Sequence, residues 1–336
     1  MEDNNNISAS DTTDETGDSI SQIFDKIIKR ILYSFSKPAV INLINGLFNE
    51  NFPPDSEITY NSTENIDSKL KRTVSDIIIT LRIGNRVRRF HMESQINDDN
   101  TIVLRVFEYG FQDALRNQAV HSNKISLPFP APVIIFLEHT ESTPDKVILE
   151  LDFGEHGKIE YTVPAMKFLS YSVEDLCKKK MTILLPLYLL KLRREIENAK
   201  HRKRKKEEII RQSAKRLKKL INEELLPAIL ENEKSGNITH SDTFEMLQLL
   251  SRLYKHLYGY IEEFRQEEVG NMLTDILELE YDVKLEEALQ EARQEASYKT
   301  YLETQKQIAR ELKAEGVDIE IIAKTTKLAA SEIEKL

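Results

Sequence analysis

Hydrophobic and polar positions alternate with period two through residues 73–96, TVSDIIITLRIGNRVRRFHMESQI. The alternation predicts two strands rich in Ile, Val and Thr, joined at Gly84-Asn85. That pair suits a tight hairpin turn, because Gly takes a positive φ without strain. With those two residues as the loop, Ile83 faces Arg86, Ile79 faces Phe90, Ile77 faces Met92 and Asp76 faces Glu93. Side chains alternate between faces, so Ile77, Ile79, Leu81, Phe90 and Met92 share an apolar face. Asp76, His91, Glu93 and Gln95 share the other. Before the hairpin, Ile23, Phe24, Ile27, Ile28, Ile31 and Leu32 recur at helical spacing, and a second helix is predicted over 38–48, with Pro38 in its first turn. Residues 51–69 read as loop with a short strand near Ile58-Thr59-Tyr60.

After the hairpin, the pattern predicts a helix over about 101–120. Val103, Phe107, Phe111, Ala114 and Leu115 form its apolar stripe, widened by Ile102 and Val106, and Arg105, Tyr109 and Gln112 group on another side. The unbroken apolar run 133–137 reads as a fully buried strand, reached through a helix and therefore paired in parallel. Two further runs, 146–153 and 158–163, flank Gly154-Glu155-His156-Gly157 as a second hairpin. A helix begins near Val173. Past residue 190 only helical patterns follow, over 217–231, 241–257, 259–279 and 284–313, with two short helices at the end.

Charge modifies this picture in two places. The 336-residue chain carries a net charge of −9, which does not advertise nucleic-acid binding, yet Lys191 to Lys219 holds fourteen Lys or Arg against four Glu. That run includes Arg202, Lys203, Arg204, Lys205 and Lys206, and it reads either as a track for a phosphate backbone or as a solvated helix face. Residues 1–19 hold six acidic groups, no Lys or Arg and few apolar side chains, a composition that predicts disorder. Cys177 has no internal disulfide partner, no signal pattern opens the chain, and the longest apolar run, 181–190, is too short for a membrane span. A cytoplasmic protein with no membrane partner is expected.

Candidate chemistry centres on the opposed carboxylates. Directly opposed side chains sit about 5 Å apart at Cβ, and like charges there are destabilising. Either the pair lies on a polar solvent face, or a hard divalent cation with oxygen ligands sits between the two acids. No Cys/His zinc spacing, Gly-rich phosphate loop or Gly-x-Ser-x-Gly elbow competes with that reading.

Asp76 followed on the next strand by Glu93-Ser94-Gln95 resembles the D…(D/E)-x-K signature of the PD-(D/E)XK nuclease superfamily, with Gln95 where Lys is usual. The Gln form, with Arg105 and Tyr109 on the following helix, is similar to the Rpn/YhgA-like branch of recombination-promoting nucleases and PD-(D/E)XK-family transposases. The resemblance covers roughly residues 20–195, with a weaker likeness in the tail GVDIEIIAKTTKLAASEIEKL. It implies an α/β fold, a small mixed sheet with flanking helices in a restriction-endonuclease-like core, followed by an all-helical C-terminal region. The expected organisation is a disordered 1–19, a nuclease-like domain at 20–195, a helical region with a basic start at 196–300 and a helical tail at 301–336.

The implied activity is Mg²⁺-dependent DNA endonuclease chemistry linked to recombination or mobile elements, with Mn²⁺ as an alternative ion. Asp76, Glu93 and the Ser94 carbonyl would hold the metal, and Gln95 would position the attacking water. Asp25 is a weaker candidate for a third acid. Arg105, Tyr109 and the run Arg202, Lys203, Arg204, Lys205, Lys206 would contact the nucleic acid. Plainer roles stand beside these, a salt bridge from Arg105 to Glu108 and a satisfied hydroxyl at Tyr109. Gln95 is uncharged and cannot give the transition state what a Lys gives. The alternative function is therefore a catalytically weakened, nuclease-derived nucleic-acid-binding or scaffold protein that forms homo-oligomers through its C-terminal helices.

Overall fold

The computed structural model describes residues 20–61, 64–66, 72–74, 77–96, 101–202 and 204–336; side chains at 20–23, 25, 26, 61, 64–66, 72–74, 279–298, 300 and 301 are outside that description. The acidic segment 1–19, Asp76 and Lys203 therefore lie outside the described residues. Six strands form the main sheet: β1 (Glu57–Asn61), β2 (Ile77–Ile83), β3 (Arg86–Gln95), β4 (Ala131–Phe136), β5 (Lys146–Asp152) and β6 (Lys158–Lys167). Their order is β1-β2-β3-β4-β6-β5. The pairs β3/β4 and β4/β6 are parallel and the remainder antiparallel. Two short ribbons, Glu64–Ile66 with Arg72–Val74 and Ala119–His121 with Lys124–Ser126, stand outside this sheet.

The central hairpin has the predicted register. Ile83 pairs with Arg86, Ile79 with Phe90 and Ile77 with Met92. Of the two loop residues only Gly84 has a positive φ, 54°, the requirement of a II′ turn. The apolar face of this hairpin packs against α1 (Ile20–Ser34) and α2 (Lys37–Phe48). Phe90, for example, lies 4.7 Å from Phe48 and 6.1 Å from Phe52 between ring centroids. The opposite face is covered by α3 (Ile102–Arg116), whose Ile102, Val103 and Val106 join Ile134, Phe136 and Val163 in one buried cluster.

The helix α3 is turned from the expected orientation. Phe111 and Leu115, placed by spacing on the buried stripe, are 38% and 41% exposed, whereas Tyr109, Gly110 and Asp113 are buried. Phe107 and Phe111 stack on each other and meet Phe129 at the flank of the sheet. Gly110 admits that ring, since a Cβ there would come within 3.2 Å of Phe129. The rotation brings the polar side of the helix onto the sheet.

Beyond β6, α4 (Val173–Lys178) leads into a 3₁₀ stretch, Thr182–Leu192, in which every residue except Lys191 is buried. It is followed by α5 (Arg193–Lys200), α6 (Lys206–Leu220), a π turn at Ile221–Leu225, α7 (Leu226–Lys234), α8 (His240–Tyr258), α9 (Glu262–Gln266) and α10 (Val269–Ala314). All of these down to Thr274 belong to one compact unit with the sheet. The boundary expected at residue 195 falls inside that unit. Ser36 bonds through N and Oγ to Asp242 at 2.6 and 2.7 Å, Arg30 pairs with Glu245 at 3.0 Å, and the Tyr258 hydroxyl donates to the Leu189 carbonyl. Where two helices were expected over 259–313, α9 is short and α10 continuous. The second unit, 275–336, folds the end of α10 against α11 (Ile319–Thr326) and α12 (Ala330–Ile333) around Ala309, Ile322, Leu328 and Ile333. No helix among the described residues is long and apolar enough to cross a membrane.

The tie between sheet and helical region is Glu138, 1% exposed just past β4. Its carboxylate accepts from Arg193 Nε at 2.6 Å and Nη2 at 2.8 Å, and from Arg194 Nε at 2.8 Å. Removing one partner of a buried ion pair strands the other charge. Glu138→Ala should cost about 3–5 kcal/mol in denaturant unfolding, whereas Glu150→Ala, which removes an exposed pair with Lys158, should change stability little. Equal effects would show that the buried network contributes no more than a surface pair.

Candidate active site

The site is built from two periodicities that match. On β3, Arg89, His91 and Glu93 project from alternate positions onto the face beneath α3; on α3, Arg105, Tyr109 and Asp113 recur every fourth residue. Two residues of strand advance about 6.7 Å and four residues of helix about 6.0 Å, so the two rows stay in step over three rungs. At the first, Arg105 Nη2 lies 3.1 Å from Glu93 Oε1. At the second, the rings of His91 and Tyr109 meet edge to face at 6.3 Å. At the third, Arg89 Nη1 lies 2.9 Å from Asp113 Oδ2, and the Arg89 guanidinium also donates to the Pro128 carbonyl.

The expected polar face is therefore an interior one. Glu93 is 2% exposed, and its neighbours in the parallel register are Ile134 for Glu93 itself and Phe136 for Gln95. Its Oε1 is held by Arg105, a residue that remains nearly half exposed, while Oε2 has no hydrogen-bond partner among the described residues. The same is true of Gln95 Oε1 and of both ring nitrogens of His91. Burial pushes the His91 imidazole down to about 4, so it is neutral at neutral pH. The salt bridge considered between Arg105 and Glu108 is replaced by the one to Glu93.

Backbone geometry adds a further oxygen. The Gln95 carbonyl accepts from Leu137 N at 2.8 Å and so points toward β4. Carbonyls alternate along a strand, and the Ser94 carbonyl accordingly points to the β2 side, beyond the last described pair of that ladder, Ile77 with Met92. Glu93 Oε2 and the Ser94 carbonyl are hard oxygen donors of the kind a Mg²⁺-like ion takes, and Gln95 Oε1 is two residues further along the same face of β3. Among the described residues, no three His, Cys, Asp or Glu side chains group as a metal site. Asp76 lies outside those residues, and Asp25 is on α1 with its side chain outside them.

No family model, characterised protein or solved structure matches this chain.

The remaining candidates are dispersed. Tyr109, expected at a nucleic acid, is only 4% exposed and lies against His91. Arg202, Arg204, Lys205 and Lys206 are exposed where α5 passes into α6. Part of the basic run is instead paired within the chain, with Arg193 and Arg194 on the buried Glu138 and Arg216 on Glu195 at the surface. Sequence reasoning missed Arg89 and Asp113. The signal that finds them is Arg-x-His-x-Glu on a strand matched in reverse by Arg-x₃-Tyr-x₃-Asp on the helix that covers it.

Because the folded state holds His91 neutral down to about pH 4 while the unfolded chain protonates near 6.5, the unfolded state binds more protons between those values. His91 thus contributes stability that is complete above about pH 6.5 and declines as pH falls toward 4, by up to about 1.4 kcal/mol per pH unit. His91→Leu should flatten the pH dependence of unfolding free energy across that window. Parallel slopes for the two proteins would place the imidazole in solvent instead.

Proposed function

We propose that this protein is a Mg²⁺-dependent DNA endonuclease of the PD-(D/E)XK type, with a setting in DNA recombination or mobile-element activity. The observation that carries the reading is Glu93, buried on the central strand with one carboxylate oxygen unpartnered among the described residues. If the β2–β3 register continues one step past Ile77 and Met92, position 76 would stand opposite Glu93, which favours Asp76 as the second carboxylate. Asp76, Glu93 and the Ser94 carbonyl would hold the ion. When bound, it supplies a water of lowered pKa and charge neutralisation at the scissile phosphate.

The chain's own groups do the rest. Gln95, unpartnered at Oε1, accepts a hydrogen bond from the attacking water and fixes its direction of approach. Arg105 neutralises Glu93 until a competing cation takes that charge. Its exposed guanidinium is then free to grip a phosphate bidentately. The exposed cluster Arg202, Arg204, Lys205 and Lys206 extends the cationic surface available to a nucleic-acid backbone, and Lys203 belongs to the same run. The second reading, a nuclease-derived binding or scaffold protein, is favoured by one observation: Arg105 already supplies Glu93 with a counter-charge, so the fold needs no metal to tolerate that carboxylate.

Millimolar Mg²⁺ or Mn²⁺ should raise the melting temperature and allow nicking of plasmid DNA. Stabilisation follows mass action and reaches about 2.7 kcal/mol at a hundred times Kd. Glu93→Gln and Asp76→Asn should each remove both effects and still fold. Arg105→Ala should tighten metal binding, by removal of a competitor, while it weakens cleavage. A wild-type protein that is neither stabilised by the ions nor able to nick DNA would leave the scaffold reading.

A further inference from the structure

The strand β5 closes one end of the main sheet, with β6 on its inner side and, among the described residues, no strand on its outer side. Which groups face outward follows from its ladder. Asp145 accepts from Ala165 N, and Phe153 N donates to Gly157, both at 2.9 Å, so odd-numbered positions turn their backbone groups toward β6. The even positions Lys146, Ile148, Glu150 and Asp152 therefore direct N–H and C=O to the open edge. Their side chains lie on the solvent face, all exposed. The pairing with β6 runs without interruption from Lys146 to Asp152, and the strand contains neither Pro nor a bulge. Pro and bulges are two of the features that keep sheet edges from pairing further; charged side chains are a third, and here Lys146, Glu150 and Asp152 supply both signs, which selects an oppositely charged edge.

We propose that this edge pairs with the same edge of a second copy of the chain, antiparallel about a two-fold axis at Leu149. The axis follows from hydrogen-bond parity and charge. Outward-facing even positions must oppose one another, and centring on Leu149 sets Lys146 against Asp152 and Ile148 against Glu150 over the full seven residues. Both ends then carry an opposite-charge cross-strand pair. Sliding two residues one way sets Glu150 against its own copy. Sliding the other way brings Pro144, which has no N–H, opposite Asp152. The acidic end has charge to spare: Glu150 and Asp152 share Lys158, and Glu160 lies opposite Glu150 in the register. The partner's basic residue at the far end answers that surplus. The interface is isologous, as a two-fold dimer requires.

The register makes the test specific. In the non-hydrogen-bonded pair at the axis, Leu149 and its copy have Cα atoms about 4.5 Å apart, within disulfide reach. Val147 and its copy are offset by roughly 14 Å along the strands. In a full-length Cys177→Ser background, which removes the chain's single cysteine, Leu149→Cys should cross-link on mild oxidation and Val147→Cys should not. In sedimentation velocity, wild type should be dimeric, Lys146→Glu and Asp152→Lys should each weaken association at least tenfold, and the two reversals combined should restore it. A monomeric wild type, a dimer indifferent to both reversals, or equal cross-linking from positions 147 and 149 would overturn the proposal.

Discussion

The register of the β2–β3 hairpin is the constraint on which the remaining arrangement depends. A slip of one residue would turn every side chain to the other face, moving Phe90 and Met92 under α3 and exposing Glu93 to α1 and α2. Two features forbid it. Gly84 alone supplies the positive φ of a two-residue turn, and both faces of β3 are buried against chemically different partners. Aromatic rings from Phe48 and Phe52 receive Phe90 on one side, while the Arg105, Tyr109 and Asp113 row receives Glu93, His91 and Arg89 on the other.

Charge inside this fold is handled by pairing. Isolated ions are costly to bury, and Asp113, Glu93 and Glu138 each meet a guanidinium. The three differ in completeness. Glu138 has both oxygens satisfied by Arg193 and Arg194 and joins the sheet to the helical region. Glu93 keeps one oxygen without a partner among the described residues, two positions from the equally unpartnered Oε1 of Gln95. Structural ion pairs tend to saturate their acceptors, as Glu138 does, so the open lone pair on Glu93 Oε2 distinguishes the proposed site from that structural network.

Much of this was legible in the chain. The alternation over 77–95 gives the hairpin and the register of its described pairs, while Thr73 and Val74 belong to a separate ribbon; the apolar run at 133–137 gives a buried parallel strand, because local pattern and tertiary burial agree there. The orientation of α3 was not legible. Its apolar residues nearly encircle it, and the choice between Phe111 and Tyr109 as the inward residue is made by the polar row on β3, a long-range match that no single-helix pattern contains. The continuity of the helical region with the sheet was hidden for the same reason, since Glu138 meets Arg193 and Ser36 meets Asp242 only after folding.

The most direct test of the proposed site is a crystal soaked in Mn²⁺ and measured for anomalous scattering. The account predicts one peak within about 2.0–2.3 Å of Glu93 Oε2 and of an Asp76 carboxylate oxygen, near metal–oxygen bond lengths for ions of this kind, with Arg105 drawn away from Glu93. A map with no peak there and Arg105 still on Glu93, or with the Asp76 side chain on the α1 and α2 face, would contradict it.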